Sequence, residues 1–144
     1  MEIRSVVDVY QQLSKENLHL LEEVYHPDVV FEDAAHRLEG RTALYRYFQS
    51  LYTNVIRCDF DIHEHQQVGE SGFITWTMEL LHPKLQNGSP ITVNGASHLK
   101  FSDGQVIYHR DYFDLGEMLY ENLPLLGAVV KMVKQRIGQG VGPF

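Results

Sequence analysis

The sequence has little cysteine, little positive charge and no long apolar run, and each shortage excludes a class of protein. Cys58 is the only cysteine in 144 residues, so no disulfide can form within the chain, which fits a reducing, cytoplasmic location. The 12 lysines and arginines against 19 acidic residues give a formal net charge of −7, which argues against a nucleic-acid-binding surface. No run reaches membrane-spanning length and no apolar signal core follows the first residues, so we expect no membrane segment.

The remaining composition, 44% hydrophobic and 22% charged residues, is typical of a globular protein, and we expect one domain over residues 1–144. Apolar residues recur at helical spacing in three early segments. Ser5 and Asn17 are suited to cap the first two helices, and Pro27 is expected to end the second. The third helix is predicted over residues 42–52, after a short strand over residues 29–34.

Four later segments alternate apolar and polar residues with the period of a β-strand, joined by short turns. They cover residues 55–68, 73–81, 91–101 and 106–113. Adjacent strands with tight turns predict an antiparallel meander that curves around the helices, and therefore an α+β fold. Residues 115–137 read as an extra C-terminal helical segment, whose apolar stripe is expected to cover the mouth of the sheet or to extend a dimer contact.

The last predicted strand carries the most informative pattern. Because strand side chains alternate between faces, Ile107, His109, Asp111 and Phe113 are expected to share one face. An acid and a histidine are unusual on a face otherwise suited to burial, since a buried carboxylate is costly without partners. Either this face lines a pocket that contains water, or Asp111 has a partner. In the second case the partner is an arginine, such as Arg41, that forms a salt bridge with Asp111.

Two stretches carry a family resemblance. The sequence RDYFDL at residues 110–115, with HLKF at 98–101 and Asp-Gly at 103–104 before it, resembles the last two strands of limonene-epoxide-hydrolase-like and SnoaL-like proteins. YHPDVVFED at residues 25–33 resembles the helix-to-strand junction of the same nuclear transport factor 2-like superfamily, which also contains ketosteroid isomerase and scytalone dehydratase. The resemblance implies a cystatin-like α+β cone, with three N-terminal helices packed on a curved antiparallel sheet. Function transfers less readily than fold.

The resemblance also implies roles for individual residues. Asp111 matches the acid that works as general base in the epoxide hydrolase pattern. Asp33 falls where ketosteroid isomerase keeps its general base and where the hydrolase keeps a water-holding amide; the alternative is that Asp33 caps or pairs locally. Two carboxylates beside one apolar cavity would favour one protonated acid and one ionised base. His109 is then an acid/base partner or an orienting group, or else a buried structural histidine.

Neither relative's mechanism is complete in this sequence. The hydrolase pattern needs an arginine and a second aspartate on the strand over residues 73–81. Alternation instead places the apolar residues Ile74, Trp76, Met78 and Leu80 on one face of that strand, and the hydrolase's water-binding tyrosine is replaced by Phe31. The ketosteroid isomerase oxyanion hole needs a tyrosine on the first helix and an acid on the strand over residues 91–101. In this sequence the two positions are occupied by Val9 and Ser97, and Tyr10 lies one position from Val9. The expected ligand-binding residues, which core packing explains equally well, are Phe31, Trp76, Met78, Ser97, Phe101 and Phe113.

Three functional classes therefore stay open. The first is a cofactor-free isomerase, lyase, cyclase or hydrolase that acts on a small hydrophobic molecule with Asp111 as base. The second is a module that binds such a molecule without turnover, and the third is a protein-interaction domain. His63 and His65 form a pair suited to a metal, but no third ligand is evident, so we expect no metal site and no cofactor. Relatives pair through the outer sheet face, which predicts a homodimer through Thr75, Thr77, Tyr108 and Tyr112.

Overall fold

The computed structural model describes residues 2–83, 88–114, 116 and 132–138. Helices pack against one face of a curved six-stranded sheet in an α+β fold, which confirms the predicted fold class. The elements are helices α1 (Glu2–Gln12), α2 (Leu21–Val24) and α3 (Arg41–Asn54), a 3-10 turn (Leu18–Leu20), and strands β1 (Tyr25–Glu32), β2 (Arg37–Glu39), β3 (Arg57–Val68), β4 (Ser71–Leu81), β5 (Ile91–Ser102) and β6 (Gln105–Phe113). Among the described residues no helix is both long and apolar enough to cross a membrane.

Most of the predicted C-terminal extension, residues 115–137, lies outside the described residues. Residues 132–138 are helical. Lys134 Nζ lies 2.6 Å from Asp114 Oδ2, so this helical piece is tied to the end of β6. Its apolar side chains Met132 and Val133 are about half exposed.

The sheet is mixed rather than wholly antiparallel. Its strand order is β2-β1-β6-β5-β4-β3, and β3 to β6 form the predicted antiparallel meander. The first long strand, β1, runs parallel to the last, β6, and this pairing places Phe31 opposite His109. The prediction of a fully antiparallel sheet was wrong because turn signals report only pairing between neighbours along the chain, and β1 pairs with the far end of the sequence.

Helix α2 is shorter than predicted, because the strand begins before the proline. The helix ends at Val24, and Tyr25 already belongs to β1. Pro27 lies inside the strand, within the stretch where the register with β6 is interrupted between Tyr25 and Val30. A proline cannot donate to a strand ladder, and a break in pairing is where a strand tolerates one.

A β-bulge in β6 changes which residues face the core. Lys100 pairs with Tyr108 and Phe101 pairs with Val106, so Ile107 is the extra residue. Val106 is fully buried while Ile107 is only half-buried, and the prediction that Ile107 shares the inner face was wrong for this reason. Beyond the bulge the alternation resumes, and it directs the next inner residues toward the helices.

Trp76 on β4 owes its position to a glycine on β5. Gly95 is its direct partner across the strands, and a Cβ added to Gly95 would lie 2.4 Å from Cη2 of the indole. Real Cβ atoms do not approach other atoms so closely, so an alanine at this position would have to displace the ring. The glycine thus allows the indole to lie across β5, against the inner face of the sheet.

Candidate functional site

An apolar cavity of about 520 Å³ lies between the helices and the inner face of the sheet. Such a volume is within the usual range for small-molecule sites. Of the residues that the structure describes, seven aromatic side chains from four strands and two helices line it, namely Tyr10, Phe31, Tyr47, Phe48, Phe60, Trp76 and Phe113. The lining includes two carboxylates, Asp33 and Asp111, and among the described residues it contains no lysine or arginine.

Asp111 lines the cavity from β6, with one carboxylate oxygen fixed. Its Oδ1 accepts a short hydrogen bond from Ser97 Oγ on β5 and lies 2.6 Å from His109 Nε2. Ser97 is the residue directly opposite Asp111 in the strand pairing, so the sheet itself sets this contact. Neither bond uses Oδ2, and no described residue donates to it, which leaves that oxygen available to a ligand.

A buried chain of polar groups supports Asp111 from behind. His109 Nδ1 lies 2.7 Å from the Tyr25 hydroxyl, which lies 2.6 Å from the Tyr10 hydroxyl. Burial raises the pKa of both tyrosines, so their hydroxyls stay protonated and serve as donors. Tyr25 can then donate to Nδ1, which places the proton of a neutral His109 on Nε2, where it is donated to Asp111.

The other side of Asp111 is supported by Trp76. The indole Nε1 donates to Ser97 Oγ at 2.9 Å, and the Ser97 hydroxyl in turn donates to Asp111. The alternative partner considered for Asp111, Arg41, instead donates to the backbone carbonyls of Glu22 and Tyr25. The carboxylate is therefore held by neutral donors and a histidine.

Asp33 lines the same cavity, but its oxygens are used locally. Oδ1 accepts from the backbone amides of Ala35 and His36 at 2.8 and 2.7 Å, and from His36 Nδ1 at 3.1 Å. Oδ2 accepts from the Tyr47 hydroxyl at 3.3 Å. Burial, and next the charge of Asp33, raise the pKa of Tyr47. These contacts match the alternative interpretation of Asp33, in which it caps or pairs locally.

The structure brings most of the expected site residues together. Phe31, Trp76, Met78 and Phe113 line the cavity beside the two aspartates. Ser97 and His109 line a small recess behind Asp111. Phe101 lies elsewhere, because it is buried in the core and is not among the lining residues.

Three lining or supporting groups were not among the expected site residues. Tyr10 lies on the first helix, one position from the residue aligned with the ketosteroid isomerase oxyanion-hole tyrosine, and helical spacing brings it to the cavity. Tyr25 begins the stretch YHPDVVFED, and no pattern in the sequence distinguishes its hydroxyl as a site group. His36 follows Asp33 by three residues. Aspartate at the start of a turn commonly accepts hydrogen bonds from the backbone amides that follow it, and this preference is the signal that would have placed His36 beside Asp33.

The expected H-x-H pair lies away from the cavity. His63 Nε2 lies 2.6 Å from the Thr77 hydroxyl, and both residues are on the exposed face of the sheet. No group of three or more histidine, cysteine, aspartate or glutamate residues close enough for a metal ion occurs in residues 2–83, 88–114, 116 and 132–138.

The chain matches one protein family by sequence and several solved structures by fold. The profile of the SnoaL-like domain matches residues 6–109, a range that contains Asp33, His36 and His109 and ends two residues before Asp111. No curated protein sequence matches the chain.

Solved structures in the nuclear transport factor 2-like fold resemble this chain at low identity. An LEH-like epoxide hydrolase from M. tuberculosis is 22% identical, with TM-score 0.67 and coverage of 93% of this chain and 96% of the other. A protein with a ketosteroid isomerase-like fold from Catenulispora acidiphila, in complex with trimethylamine, is 16% identical, with TM-score 0.73 and coverage of 85% and 93%. A nuclear transport factor 2-like protein of unknown function from Burkholderia pseudomallei is 17% identical, with TM-score 0.73 and coverage of 82% and 94%.

Proposed function

Because this chain belongs to the SnoaL-like domain family, we propose that it binds a small, mainly apolar ligand in its cavity and uses Asp111 as a general base. The volume of about 520 Å³ and the aromatic lining suit a molecule built of rings. Family membership supports a small-molecule-binding or catalytic domain, and the choice of ligand and reaction is our proposal.

The observation that carries the proposal is the asymmetric environment of the Asp111 carboxylate. Its Oδ1 is held by Ser97 and His109, and Oδ2 is left without a donor from the described residues, in a carboxylate whose side chain is 19% exposed. A carboxylate fixed at one oxygen keeps the other in a constant place, as proton abstraction requires. A ligand that fills the apolar cavity would displace the water that otherwise competes for that oxygen.

The geometry of the site supports a class of reactions rather than a single reaction. Isomerisation, cyclisation, dehydration and epoxide hydrolysis share a step in which a base removes a proton from a carbon or a water. His109 lies between the carboxylate and Tyr25, so the chain of hydroxyls behind it keeps Nε2–H directed at Oδ1 and leaves Oδ2 as the oxygen that gains the proton. We therefore propose proton transfer by Asp111, without a cofactor, as the chemistry of the site.

The proposal can be tested without the natural substrate. Nitrobenzisoxazole is a neutral, flat probe whose ring opens when a base removes its carbon-bound proton, so that the N–O bond breaks and a coloured cyanonitrophenolate forms. We expect the protein to accelerate this reaction over free acetate at equal concentration. Asp111→Asn should lower the rate by about two to four orders of magnitude, as expected for loss of a general base.

A second carboxylate in the same cavity provides the matched control. Asp33→Asn removes an equal charge, but all of the hydrogen bonds at Asp33 serve the turn and Tyr47, so we expect a much smaller effect on the rate. Equal losses in the two variants would show that cavity charge and not Asp111 itself drives the probe reaction. An Asp111→Asn variant that keeps the wild-type rate would overturn the assignment of the base.

Binding without turnover is the second candidate function, and the same cavity supports it. Trp76 is the chain's single tryptophan and lines the cavity, so its fluorescence should report ligand entry. Quenching by nitrobenzisoxazole in a protein that gives no product would favour a binding module. The volume of the cavity speaks against the third candidate, an interaction domain whose interior is filled by its own side chains.

We also propose a homodimer formed through the outer face of the sheet. Phe73 and Tyr112 on that face are more than half exposed. Phe73 stacks on His98 with ring centroids 4.5 Å apart, and the Arg110 guanidinium lies 5.1 Å from the Tyr112 ring. Aromatic and arginine side chains are enriched in protein interfaces, which supports this face as the contact.

A further inference from the structure

A second acid–base pair lines the cavity, in the turn between β1 and β2. Asp33 Oδ1 accepts from the backbone amide of His36 at 2.7 Å and from its ring Nδ1 at 3.1 Å. Tyr47 on α3 packs on the imidazole with ring centroids 4.9 Å apart, and its hydroxyl donates to Asp33 Oδ2. The His36 ring is therefore contacted at Nδ1 by Asp33 and from the side by the Tyr47 ring, whose plane is tilted 54° from that of the imidazole.

These contacts determine which ring nitrogen of His36 can meet a ligand. An ionised carboxylate only accepts hydrogen bonds, so Nδ1 carries the proton that it shares with Asp33. In the neutral ring Nε2 is then an acceptor, and in the cationic ring it becomes a donor. Nε2 makes no hydrogen bond with any residue that the structure describes, and His36 lies at the edge of the cavity with 48% of its side chain exposed.

Building on the function proposed above, we infer that His36 is the second polar contact for the ligand. Its Nε2 binds a hydroxyl group when the ring is neutral and a carbonyl oxygen when the ring is protonated. Asp33 is the positioning residue that fixes the ring and its tautomer. The ligand class that follows is a ring system with an acidic C–H or O–H group for Asp111 and a separate oxygen function for His36.

Other titratable groups near the cavity could also produce a pH dependence. Asp33 in its own turn and Tyr47 from α3 contact His36, and the other titratable residues that line the same cavity are Tyr10 from α1, His82 after β4 and Asp111 from β6. A variant at His36 separates its contribution from theirs. His36→Phe keeps an aromatic ring against Tyr47 and removes both nitrogens.

The test compares two neutral probes of similar size, β-naphthol and methyl β-naphthyl ketone, by titration calorimetry. In the wild-type protein we expect the affinity ratio to shift toward the naphthol by about threefold to tenfold between about pH 5 and about pH 8, the effect of one hydrogen bond. In His36→Phe the ratio should stay constant. His19→Phe, at an exposed histidine outside the cavity lining, should behave like the wild type.

The outcomes separate this inference from the proposed function. If neither probe binds the wild-type protein, both proposals fail. If both probes bind but the ratio does not change with pH, or still changes in His36→Phe, the role of His36 is refuted while the cavity function stands. Nitrogen chemical shifts of the His36 ring give an independent readout: a neutral ring protonated at Nδ1 is expected, and one protonated at Nε2 would contradict the inference.

Discussion

Removing the Tyr25 hydroxyl tests the buried chain of polar groups behind Asp111. Tyr25 lies in the middle of this chain, between Tyr10 and His109, at hydrogen-bond distances of 2.6 and 2.7 Å. Tyr25→Phe leaves His109 Nδ1 without a partner in a side chain that is 2% exposed, and it also removes the Tyr10 contact. An unsatisfied buried group costs about 1 to 3 kcal/mol and a lost hydrogen bond about 1 kcal/mol, so we expect a loss of about 2 to 4 kcal/mol in the free energy of unfolding.

Two further variants calibrate this loss. Tyr10→Phe removes one hydrogen bond at the end of the chain and leaves the Tyr25 bond to His109 in place, so its cost should be about 1 kcal/mol. Tyr52→Phe is the matched control elsewhere in the core, because its hydroxyl makes one buried hydrogen bond to the Cys58 carbonyl at 3.2 Å. We expect it to cost a similar amount, about 1 kcal/mol.

The decisive measurement is the double variant Tyr10→Phe, Tyr25→Phe, analysed by urea denaturation. Once Tyr25 has lost its hydroxyl, Tyr10 has no hydrogen bond to lose, so the double variant should cost about 1 kcal/mol less than the sum of the single variants. If the cost of the double variant equals the sum of the two single-variant costs within about 0.5 kcal/mol, the coupling is refuted, and so is the interpretation of these groups as one chain.

Three other variants, one pH series and one labelling experiment test further features. Burial raises the pKa of Tyr10, Tyr25, Tyr47 and Tyr52, so the folded state favours the protonated form of these side chains. The free energy of unfolding should therefore be unaffected below about pH 10 and fall above it by up to about 1.4 kcal/mol per pH unit for each group, and urea denaturation midpoints would measure this fall. Burial raises the pKa of Cys58 to about 12, so iodoacetamide should label it at pH 8 in urea and not in the native protein, and native labelling would contradict its burial. Gly95→Ala should displace the Trp76 ring and lower stability by about 1 to 3 kcal/mol with a shift in fluorescence, and an unchanged emission spectrum would count against this packing. Light scattering should give a dimer for the wild type and for Val68→Asp, an exposed site on β3, and a monomer for Phe73→Asp; a wild-type monomer would refute the proposed interface.

Alternation along the strands predicted the inner face of the sheet well where pairing is regular. Ile74, Trp76, Met78 and Leu80 were expected on one face, and all four are buried. Strand β4 pairs with β5 without interruption, so period two in the sequence becomes period two in space. The expected adjacency of His109 and Asp111 held for the same reason, since both lie beyond the bulge in β6.

The failures occurred where structure depends on a partner strand or on backbone geometry. The bulge at Ile107 arises from the pairing of β6 with β5, which local alternation does not encode. Phe101 lies at the same irregularity and is directed into the core. The contacts of Asp33 depend on a four-residue turn that alternation along the strand does not reveal, and they order the chain around His36.

The pairing of β1 with β6 has a consequence for synthesis of the chain. On the ribosome, β1 emerges early and its neighbour emerges only after three other long strands, so one side of β1 has no partner strand until then. Contacts between distant parts of a sequence form late and slowly because a long loop must close first. The Phe31–His109 contact belongs to this last pairing and Asp111 lies on the same last strand, so the nascent protein completes its sheet and its cavity in the same event. A chain released before β6 would therefore lack the candidate base and also present an unpaired strand edge for aggregation.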